Sequence, residues 1–354
     1  MNSIKLGSKT IDSNSLYFIA DIGANHNGSL EKAKELIRLA KQAGADAAKF
    51  QNFQANKIVS KVGFDKMKGK LSHQSKWKKS VFEVYEDASI QKDWTKILKE
   101  ECNKIGIDYF TSPYDYESVD LVDPYVDLYK IGSGDISWLD IIEYICEKGK
   151  PIIIATGASN MKDVKRVMDL VLSKTKDVVL MQCNTNYSGS DENFNYCNLN
   201  VLNLFKKEYP DVMLGLSDHT KKHATTLGSI AYGARIIEKH FTDDNNQEGP
   251  DHAFAMNPTS WRNMVDRSYE LLKALGDGTK RVEPNEEDAQ LVQRRCIRVN
   301  KDLSAGHVIT EEDLIYLRPI SEDGLHPYQK DIVIGETLKE SIEAGEHLTK
   351  SLIN

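Results

Sequence analysis

Short apolar segments alternate with longer amphipathic segments through most of the chain. Eight of the short segments are rich in β-branched and aromatic residues, as buried strands are. They are residues 16–20, 47–50, 107–111, 127–131, 151–156, 178–183, 212–217 and 235–241. Eight strands that alternate with helices are the number in a (β/α)₈ TIM barrel, so the pattern predicts this α/β fold. A doubly wound open sheet is the alternative, although such sheets usually have fewer strands before a domain break.

The segments between the predicted strands have helical periodicity. In residues 29–44 the apolar positions repeat every three or four residues, Ser29 is a suitable N-cap, and Gly44 is a typical stop signal. Residues 90–106 and 161–174 show the same period. These segments are predicted to be the helices that cover the barrel.

The periodic pattern then stops. Residues 276–290 concentrate glycine, proline and acidic residues, which indicates a linker between a barrel over residues 1–275 and a second unit over residues 291–354. The second unit has short alternating runs, a turn at residues 304–306 and a capping box that begins at Thr310. We therefore expect a small α+β domain. It is near the lower size limit for independent stability, so we expect it to pack on a barrel of its own chain or of a partner.

The composition narrows the classes of partner. The chain has 354 residues, with 46 Lys and Arg against 53 Asp and Glu, and its net charge of −7 excludes a strongly basic nucleic-acid binder. No run suits a membrane span and the first residues are too polar for a secretory signal, so we expect a cytoplasmic protein without a membrane partner.

Residues 57–79 carry eight lysines. A phosphate- or nucleic-acid-binding patch is one interpretation, but the net negative charge favours a solvated loop over the barrel mouth.

Functional residues of a (β/α)₈ barrel lie at the carboxyl ends of its strands. Polar residues follow nearly every predicted strand of this chain. They include Asp21, Lys49, Gln51, Thr111, Lys130, Ser133, Asp135, Tyr187, Ser217, His219 and His240. A barrel with only a structural role would not need so many.

Two lysines in strand contexts indicate an anion site. An unpaired ammonium is costly in the interior, so Lys49 and Lys130 should each have an anionic partner. With the hydroxyls of Thr111, Ser133 and Ser217 they would form a pocket for phosphate or carboxylate. The alternative is an internal ion pair, for instance between Lys130 and Asp135.

Two histidines end neighbouring predicted strands. The imidazoles of His219 and His240 could converge on one metal ion in the barrel mouth, which would leave positions for water and a substrate oxygen. Their separation of 21 residues matches no local metal motif. From spacing alone, histidines with only structural hydrogen bonds are an equally good interpretation.

Eight short motifs occur in order along the barrel. They are ADIGANHNGSL (20–30), AAKFQ (47–51), TSPYD (111–115), YKIGSGD (129–135), ATGAS (155–159), GLSDHT (215–220), EKHFT (238–242) and GPDH (249–252). The collinear set resembles the N-acetylneuraminate synthase family. RRCI (294–297), SAGHVIT (304–310) and LRP (317–319) resemble the antifreeze-like (SAF) domain that follows the barrel in that family.

The resemblance implies an enzyme, a transferase that condenses phosphoenolpyruvate with an N-acetylated amino-hexose. The acceptor would be N-acetylmannosamine or a 2,4-diacetamido-trideoxy hexose, and the products a nine-carbon nonulosonic acid and phosphate. The resemblance also implies a divalent metal held by His219 and His240, Mn²⁺ in first place with Mg²⁺ or Co²⁺ as alternatives, and a domain-swapped homodimer.

The same resemblance assigns roles to individual residues. The phosphoenolpyruvate site would comprise Lys49, Thr111, Lys130, Ser133 and Ser217. The sugar site would comprise Asp21, Gln51, Tyr187 and Asp251, with Arg318 reaching over from a partner subunit. Asp21, Asp135 and Lys49 are the catalytic candidates.

The chain departs from the family pattern near the predicted mouth. Asp21 and Asp135 stand where the family usually has Glu, which withdraws each carboxylate by about 1.5 Å, one carbon–carbon bond. Ala155, Gln182 and Ser188 replace a common Ser, His and Pro. A different amino sugar or reduced activity would account for these changes. Two other functions stay open: a phosphoenolpyruvate-dependent synthase that uses a phosphorylated sugar, and a non-catalytic carbohydrate-binding homologue.

Overall fold

The computed structural model describes residues 3–67, 74 and 77–354. The chain divides into two compact units, Met1–Gly276 and Asp277–Asn354. The first unit contains an eight-stranded parallel sheet with surrounding helices, and the second contains a small antiparallel sheet with short helical turns.

A short hairpin precedes the barrel and was not predicted from the apolar pattern. Its strands, β1 (Ile4–Leu6) and β2 (Lys9–Ile11), pair antiparallel. The barrel strands are β3 (Tyr17–Asp21), β4 (Ala47–Asn52), β5 (Asp108–Pro113), β6 (Tyr129–Ile131), β7 (Ile152–Ala155), β8 (Val178–Cys183), β9 (Met213–Asp218) and β10 (Ile236–His240). Each overlaps one of the eight predicted strands, which confirms the barrel prediction.

The strands are ordered β5-β4-β3-β10-β9-β8-β7-β6 and all neighbours pair in parallel. Among the described residues β5 and β6 pack side by side without a ladder of backbone hydrogen bonds, so the barrel is nearly closed. A single buried apolar core runs between the strands and their covering helices. Parallel strands buried on both faces explain why their sequences read as continuous apolar runs.

The helices of the first unit lie between the strands. They are α1 (Leu30–Ala43), α2 (Ala55–Ile58), α3 (Lys61–Lys66), α4 (Val81–Ala88), α5 (Trp94–Ile105), α6 (Tyr116–Val122), α7 (Leu139–Cys146), α8 (Met161–Lys174), α9 (Val201–Glu208), α10 (Ala224–Ala231) and α11 (Pro258–Ala274). As predicted, the Ser29 hydroxyl caps α1 by accepting from Lys32 N, and Gly44 ends it in the left-handed region at φ 96°. No described helix is long and apolar enough to cross a membrane.

Regular structure begins before residue 291, the predicted start of the second unit. A 3-10 turn at Pro284–Glu286 and helix α12 (Glu287–Gln293) occupy part of the predicted linker. None of the α12 residues is buried within the structure, so the helix carries no apolar period that the sequence could have shown. Strands β11 (Cys296–Val299) and β12 (Leu314–Leu317) then pair antiparallel over a core of their own.

Candidate active site

The strand register decides which side chains point into the barrel. Residues paired across neighbouring parallel strands share one face of the sheet, and alternate residues along a strand share it too. Asp21 pairs with Lys49 on β4 and with His240 on β10. Glu238 pairs with Ser217 on β9. These five side chains therefore lie on one face, at the carboxyl ends of four consecutive strands.

Two lysines and two carboxylates form a buried network on this face. Lys49 Nζ lies 2.6 Å from Asp21 Oδ2 and 3.6 Å from Glu238 Oε1. Lys130 Nζ lies 3.1 Å from the same Glu238 oxygen, to which Ser217 Oγ also donates across 3.2 Å. All five residues are buried. The predicted need for an anionic partner is met here by the protein's own carboxylates.

The network is ionised but incomplete. Burial opposes the charge on Asp21 and Glu238, yet the lysine charges outweigh it, so the pKa of each carboxyl is lowered. Burial likewise opposes the charge on Lys49, and the two carboxylates raise its pKa. Asp21 Oδ1 and Glu238 Oε2 nevertheless have no hydrogen-bond partner among the described residues. Buried oxygens without donors are costly, so the network is arranged to accept a further donor or cation.

Lys130 has a different partner from the one that the sequence suggested. Its ion pair is with Glu238, and the described residues show none with Asp135. The reason is geometric: Glu238 lies on the same inner face, whereas Asp135 lies beyond the strand end in a 3-10 turn (Ser133–Asp135). A single bond to Glu238 leaves Lys130 with N–H donors for a ligand.

The two histidines lie together in the mouth, with ring centroids 5.4 Å apart. His219 Nδ1 lies 2.7 Å from the carbonyl oxygen of Asn184, which can only accept, so this nitrogen carries the proton and Nε2 keeps its lone pair. Burial, and next the neighbouring His240, lower the pKa of His219 to about 3, so its ring is neutral at pH 7. The rings of Tyr187 and Phe254 cover the pair at 4.2 Å from His219 and 5.0 Å from His240.

These residues fit two ligands of a divalent metal. A neutral imidazole whose other nitrogen donates to a carbonyl is the usual state of a metal-binding histidine, and His219 has it. His240 Nδ1 and Asp21 Oδ1 are buried polar atoms without a hydrogen-bond partner in the described part of the chain. No group of three or more His, Cys, Asp or Glu within that part is placed to hold a metal, so water and substrate would complete the coordination.

The three predicted hydroxyls do not all face the site. Ser217 joins the Glu238 network, and Ser133 Oγ accepts from Gly157 N at 2.9 Å beside the mouth. Thr111 instead donates to Asn52 Oδ1 at 2.7 Å, on the helix-facing side of the sheet. Its assignment as a direct side-chain contact for the anion is therefore wrong in this structure. The next residue, Ser112, pairs in register with Gln51 on the inner face, and its buried hydroxyl has no partner among the described residues.

A cavity of about 370 Å³ opens above this layer. Six of the predicted site residues line it, namely Gln51, Ser133, Asp135, Tyr187, His240 and Asp251. Burial raises the pKa of Asp135 to about 6, although the charge of Lys130 opposes this. Asp135 can therefore gain or lose a proton near neutral pH, which the ionised Asp21 cannot do.

Two features of the sequence remain, Arg318 and the lysine-rich segment, of which Val59, Phe64 and Trp77 line the cavity. Arg318 belongs to the second unit, where it is exposed and its guanidinium makes no hydrogen bond or ion pair with any described residue. Of the lysine-rich segment, residues 68–73 and 75–76 lie outside the described residues. Among the rest, Lys57, Lys78 and Lys79 form ion pairs with the exposed carboxylates of Glu117, Glu248 and Asp87, as in a solvated loop.

Glu238 is the functional residue that sequence reasoning did not single out. It belongs to the motif at residues 238–242, of which only His240 was predicted to be a site residue. The usable signal was its charge inside an apolar strand, the same signal that identified Lys49 and Lys130. The apolar wall of the cavity was also missed, because Phe53, Tyr85 and their neighbours lie in loops and short helices.

Together, the barrel, the ionised site at the carboxyl ends of its strands and the small C-terminal unit define a (β/α)₈-barrel enzyme. Residues 36–280 match the NeuB family, and residues 294–354 match the SAF domain. The chain therefore belongs to the NeuB family.

Individual relatives agree with this assignment. The N,N'-diacetyllegionaminic acid synthase of Legionella pneumophila is 33% identical over 342 residues, which cover 94% of this chain and 93% of that protein. A pseudaminic acid synthase of Campylobacter jejuni is 31% identical over 346 residues, with 95% and 96% covered. The crystal structure of N-acetylneuraminic acid (sialic acid) synthetase from Leptospira borgpetersenii matches with a TM-score of 0.71 and 26% identity, over 81% of this chain and 95% of that one.

Proposed function

We propose that this protein condenses phosphoenolpyruvate with an N-acetylated amino-hexose to give a nine-carbon sialic-acid-like sugar and inorganic phosphate. The observation that carries the proposal is the buried pair Lys49 and Lys130 on the same inner face as His240, with two carboxylate oxygens left without donors. The named relatives are synthases of this class of sugar.

The lysines and hydroxyls bind the anionic substrate. Lys130 and Lys49 provide the charge for the phosphate and carboxylate of phosphoenolpyruvate, and each retains N–H donors beyond its present bonds. Ser133 and Ser217 add neutral donors at the rim of the same layer. Fixing this substrate beside the acceptor turns a bimolecular encounter into a positioned one, which can contribute about 7 to 11 kcal/mol to the lowering of the barrier.

The reaction needs proton transfer as well as positioning. The enolpyruvate C3 forms a bond to the aldehyde carbon of the open-chain sugar, water adds at C2, and the bond from C2 to the phosphate oxygen breaks. Asp135 takes a proton from the water as it adds, because its pKa of about 6 lets it exchange protons near neutral pH. Of the two protons that the water supplies, one ends on the former aldehyde oxygen, which becomes a hydroxyl, and the other leaves with the phosphate as hydrogen phosphate. Asp21 stays ionised and accepts hydrogen bonds from the sugar. Asp251 at the cavity wall accepts a further hydrogen bond from it.

His219 and His240 would hold the divalent metal of the proposed enzyme. When bound, such an ion supplies Lewis-acid polarisation of the aldehyde oxygen. The neutral ring of His219 keeps the lone pair that a metal requires, and Asn184 fixes the orientation of that ring.

The cavity wall favours a deoxy acceptor. Phe53, Val59, Phe64, Trp77 and Tyr85 form an apolar side, and its described lining contains no lysine or arginine. A methyl group at C6 suits such a wall, whereas a phosphate there would have no cation among the described lining residues. We therefore place a 2,4-diacetamido-trideoxy hexose ahead of N-acetylmannosamine, and both ahead of a phosphorylated sugar.

The decisive measurement is phosphate release from phosphoenolpyruvate with Mn²⁺ and each of these sugars. We expect the trideoxy hexose to react best, the 6-phosphate of N-acetylmannosamine not to react, and His240→Ala to abolish turnover. Preferred use of the phosphorylated sugar would select the alternative synthase. A folded, metal-loaded protein that releases no phosphate with any acceptor would support the non-catalytic binding protein instead.

The homodimer is a separate part of the proposal. The exposed Arg318 would bind the acetamido end of the sugar in the barrel of a partner chain, as the family resemblance implies. Mixing inactive His240→Ala with inactive Arg318→Ala subunits should then restore up to about a quarter of the sites, since one kind of mixed site has both residues intact. Absence of recovery after confirmed subunit exchange would place Arg318 in its own chain's site.

A further inference from the structure

The loop after β10 is tied to the loop after β3 by a chain of side-chain hydrogen bonds. The ring of the fully buried His252 is at its centre, 2.7 Å from Thr242 Oγ1 through Nδ1 and 3.0 Å from Asn27 Oδ1 through Nε2. Asn27 Nδ2 then donates to Gln247 Oε1 at 3.2 Å, and Gln247 Nε2 donates to the carboxylate of Asp243 at 2.9 Å.

The direction of every bond in this chain follows from its acidic end. A carboxylate only accepts, so Gln247 must turn its amide nitrogen to Asp243 and its oxygen to Asn27. Asn27 then presents its own oxygen to His252, whose Nε2 must carry the proton. Burial lowers the pKa of His252, so its ring is neutral and Nδ1 is left to accept from the Thr242 hydroxyl. The chain is therefore consistent in one arrangement of protons and is a specific clamp rather than a set of adaptable contacts.

Two glycines lie in close contact with residues of this region. A Cβ on Gly249 would lie 2.6 Å from Cδ2 of the His252 ring, and a Cβ on Gly23 would lie 2.9 Å from Asp251 Oδ2. Both distances are shorter than side-chain contacts allow, and Gly23 also has φ +48°. Glycine at these two positions therefore leaves room for the His252 ring and for the Asp251 carboxylate.

We propose that His252 is a positioning residue for Asp251. Asp251 immediately precedes it, accepts from Ala24 N at 3.2 Å and has the same oxygen 3.6 Å from His240 Nδ1. Its carboxylate lines the cavity. Two hydrogen bonds near it join the loops, the one from Ala24 N to Asp251 itself and the one from the adjacent His252 to Asn27, so loss of the second leaves Asp251 held by fewer contacts. The link to the sugar rests on the proposed function, whereas the clamp itself does not.

Four substitutions distinguish the effect of losing this hydrogen-bond chain, the clamp, from a general loss of structure. Asn27→Gly removes the side chain but keeps the positive φ of 51°, and Asn198→Gly is the matched control at a second positive-φ asparagine, outside the site. His252→Asn can keep the acceptor toward Thr242 but loses the donor across the loops. His252→Gln can place its amide nitrogen near the lost Nε2 and should restore the cross-loop bond.

The first readout needs no substrate. Hydrogen exchange of the peptide that contains Ala24 should quicken about threefold to tenfold in Asn27→Gly and His252→Asn, the range expected for one net hydrogen bond. His252→Gln and Asn198→Gly should match the unsubstituted protein. Equal exchange in all five proteins would overturn the clamp, whether or not the protein is a synthase.

The second readout is kinetic. In the active enzyme, Asn27→Gly and His252→Asn should lower kcat/KM for the sugar by about threefold to tenfold and leave the KM for phosphoenolpyruvate unchanged, because Lys130 and Ser217 are untouched. Partial unfolding would instead lower kcat, and with it kcat/KM for both substrates by the same factor. Faster exchange with unaltered sugar kinetics would overturn the positioning of Asp251. Silence of the unsubstituted protein with every sugar would count against the proposed function alone.

Discussion

Strands β9 and β10 carry a buried lysine–carboxylate network on each of their two faces. On the helix-facing side, Lys239 Nζ lies 2.5 Å from Asp218 Oδ2 and 2.6 Å from the carbonyl oxygen of Thr220. Asp218 also accepts from Thr220 N and from the hydroxyls of Thr220 and Thr225. Neither oxygen of Asp218 lacks a donor, so this network is complete.

The corresponding residues on the inner face lie one position earlier in each strand, and their network is incomplete. Glu238 and Ser217 precede Lys239 and Asp218, and their network leaves Glu238 Oε2 without a donor among the described residues. Both networks are buried and ionised, so burial and charge alone do not distinguish a structural ion pair from a binding site. The distinction lies in whether each polar atom already has a partner.

The largest expected effect is loss of stability from the complete network. Lys239→Met leaves Asp218 as a buried charge without its cation, which should lower the free energy of unfolding by about 3 to 5 kcal/mol. Denaturant unfolding measures this. The KM values of the folded fraction should be unchanged. A loss of unfolding free energy below about 1 kcal/mol would contradict the structural role of the complete network.

The same substitution on the inner face should affect catalysis instead. Lys130→Met removes a charge from the proposed phosphate site and should lower kcat/KM about 10²- to 10³-fold. Glu238 would keep its bond from Ser217 and the nearby Lys49, so the unfolding free energy should fall less than in Lys239→Met. Phosphate release and denaturant unfolding test both parts, and activity within threefold of the unsubstituted enzyme would contradict the site.

A smaller effect is expected from pH. With a pKa of about 6, Asp135 should cause kcat/KM to fall about tenfold per pH unit below that value, and Asp135→Asn should lack this limb of the profile.

The raised pKa of Asp135 also determines how the stability of the protein changes with pH. The contribution of Asp135 is fully present below its ordinary pKa of 3.8 and is lost as the pH rises through about 6. Asp135→Asn should therefore be more stable than the unsubstituted protein at pH 7 but not at pH 3.5.

Much of this site was readable from residue types and order. The charged residues Lys49 and Lys130 stood out because they interrupt apolar strands, and both lie on the inner face. The histidine pair also lies together, since it ends neighbouring strands. Thr111 was misplaced because a strand turns each successive side chain to the opposite face, so an error of one position exchanges the cavity for the helix layer.

The sequence by itself determined the barrel, its helix caps, the second unit and the set of residue types that chemistry requires, because period, glycine and capping signals are local. Only the tertiary structure decided which partner each charge takes. Residues 108 positions apart, such as Lys130 and Glu238, meet through strand order and register. The hydrogen-bond chain through His252 likewise depends on two loops that are distant in the chain. Pairing of polar atoms is a property of the folded interior, where packing fixes which acceptors each donor can reach, and no local pattern records it.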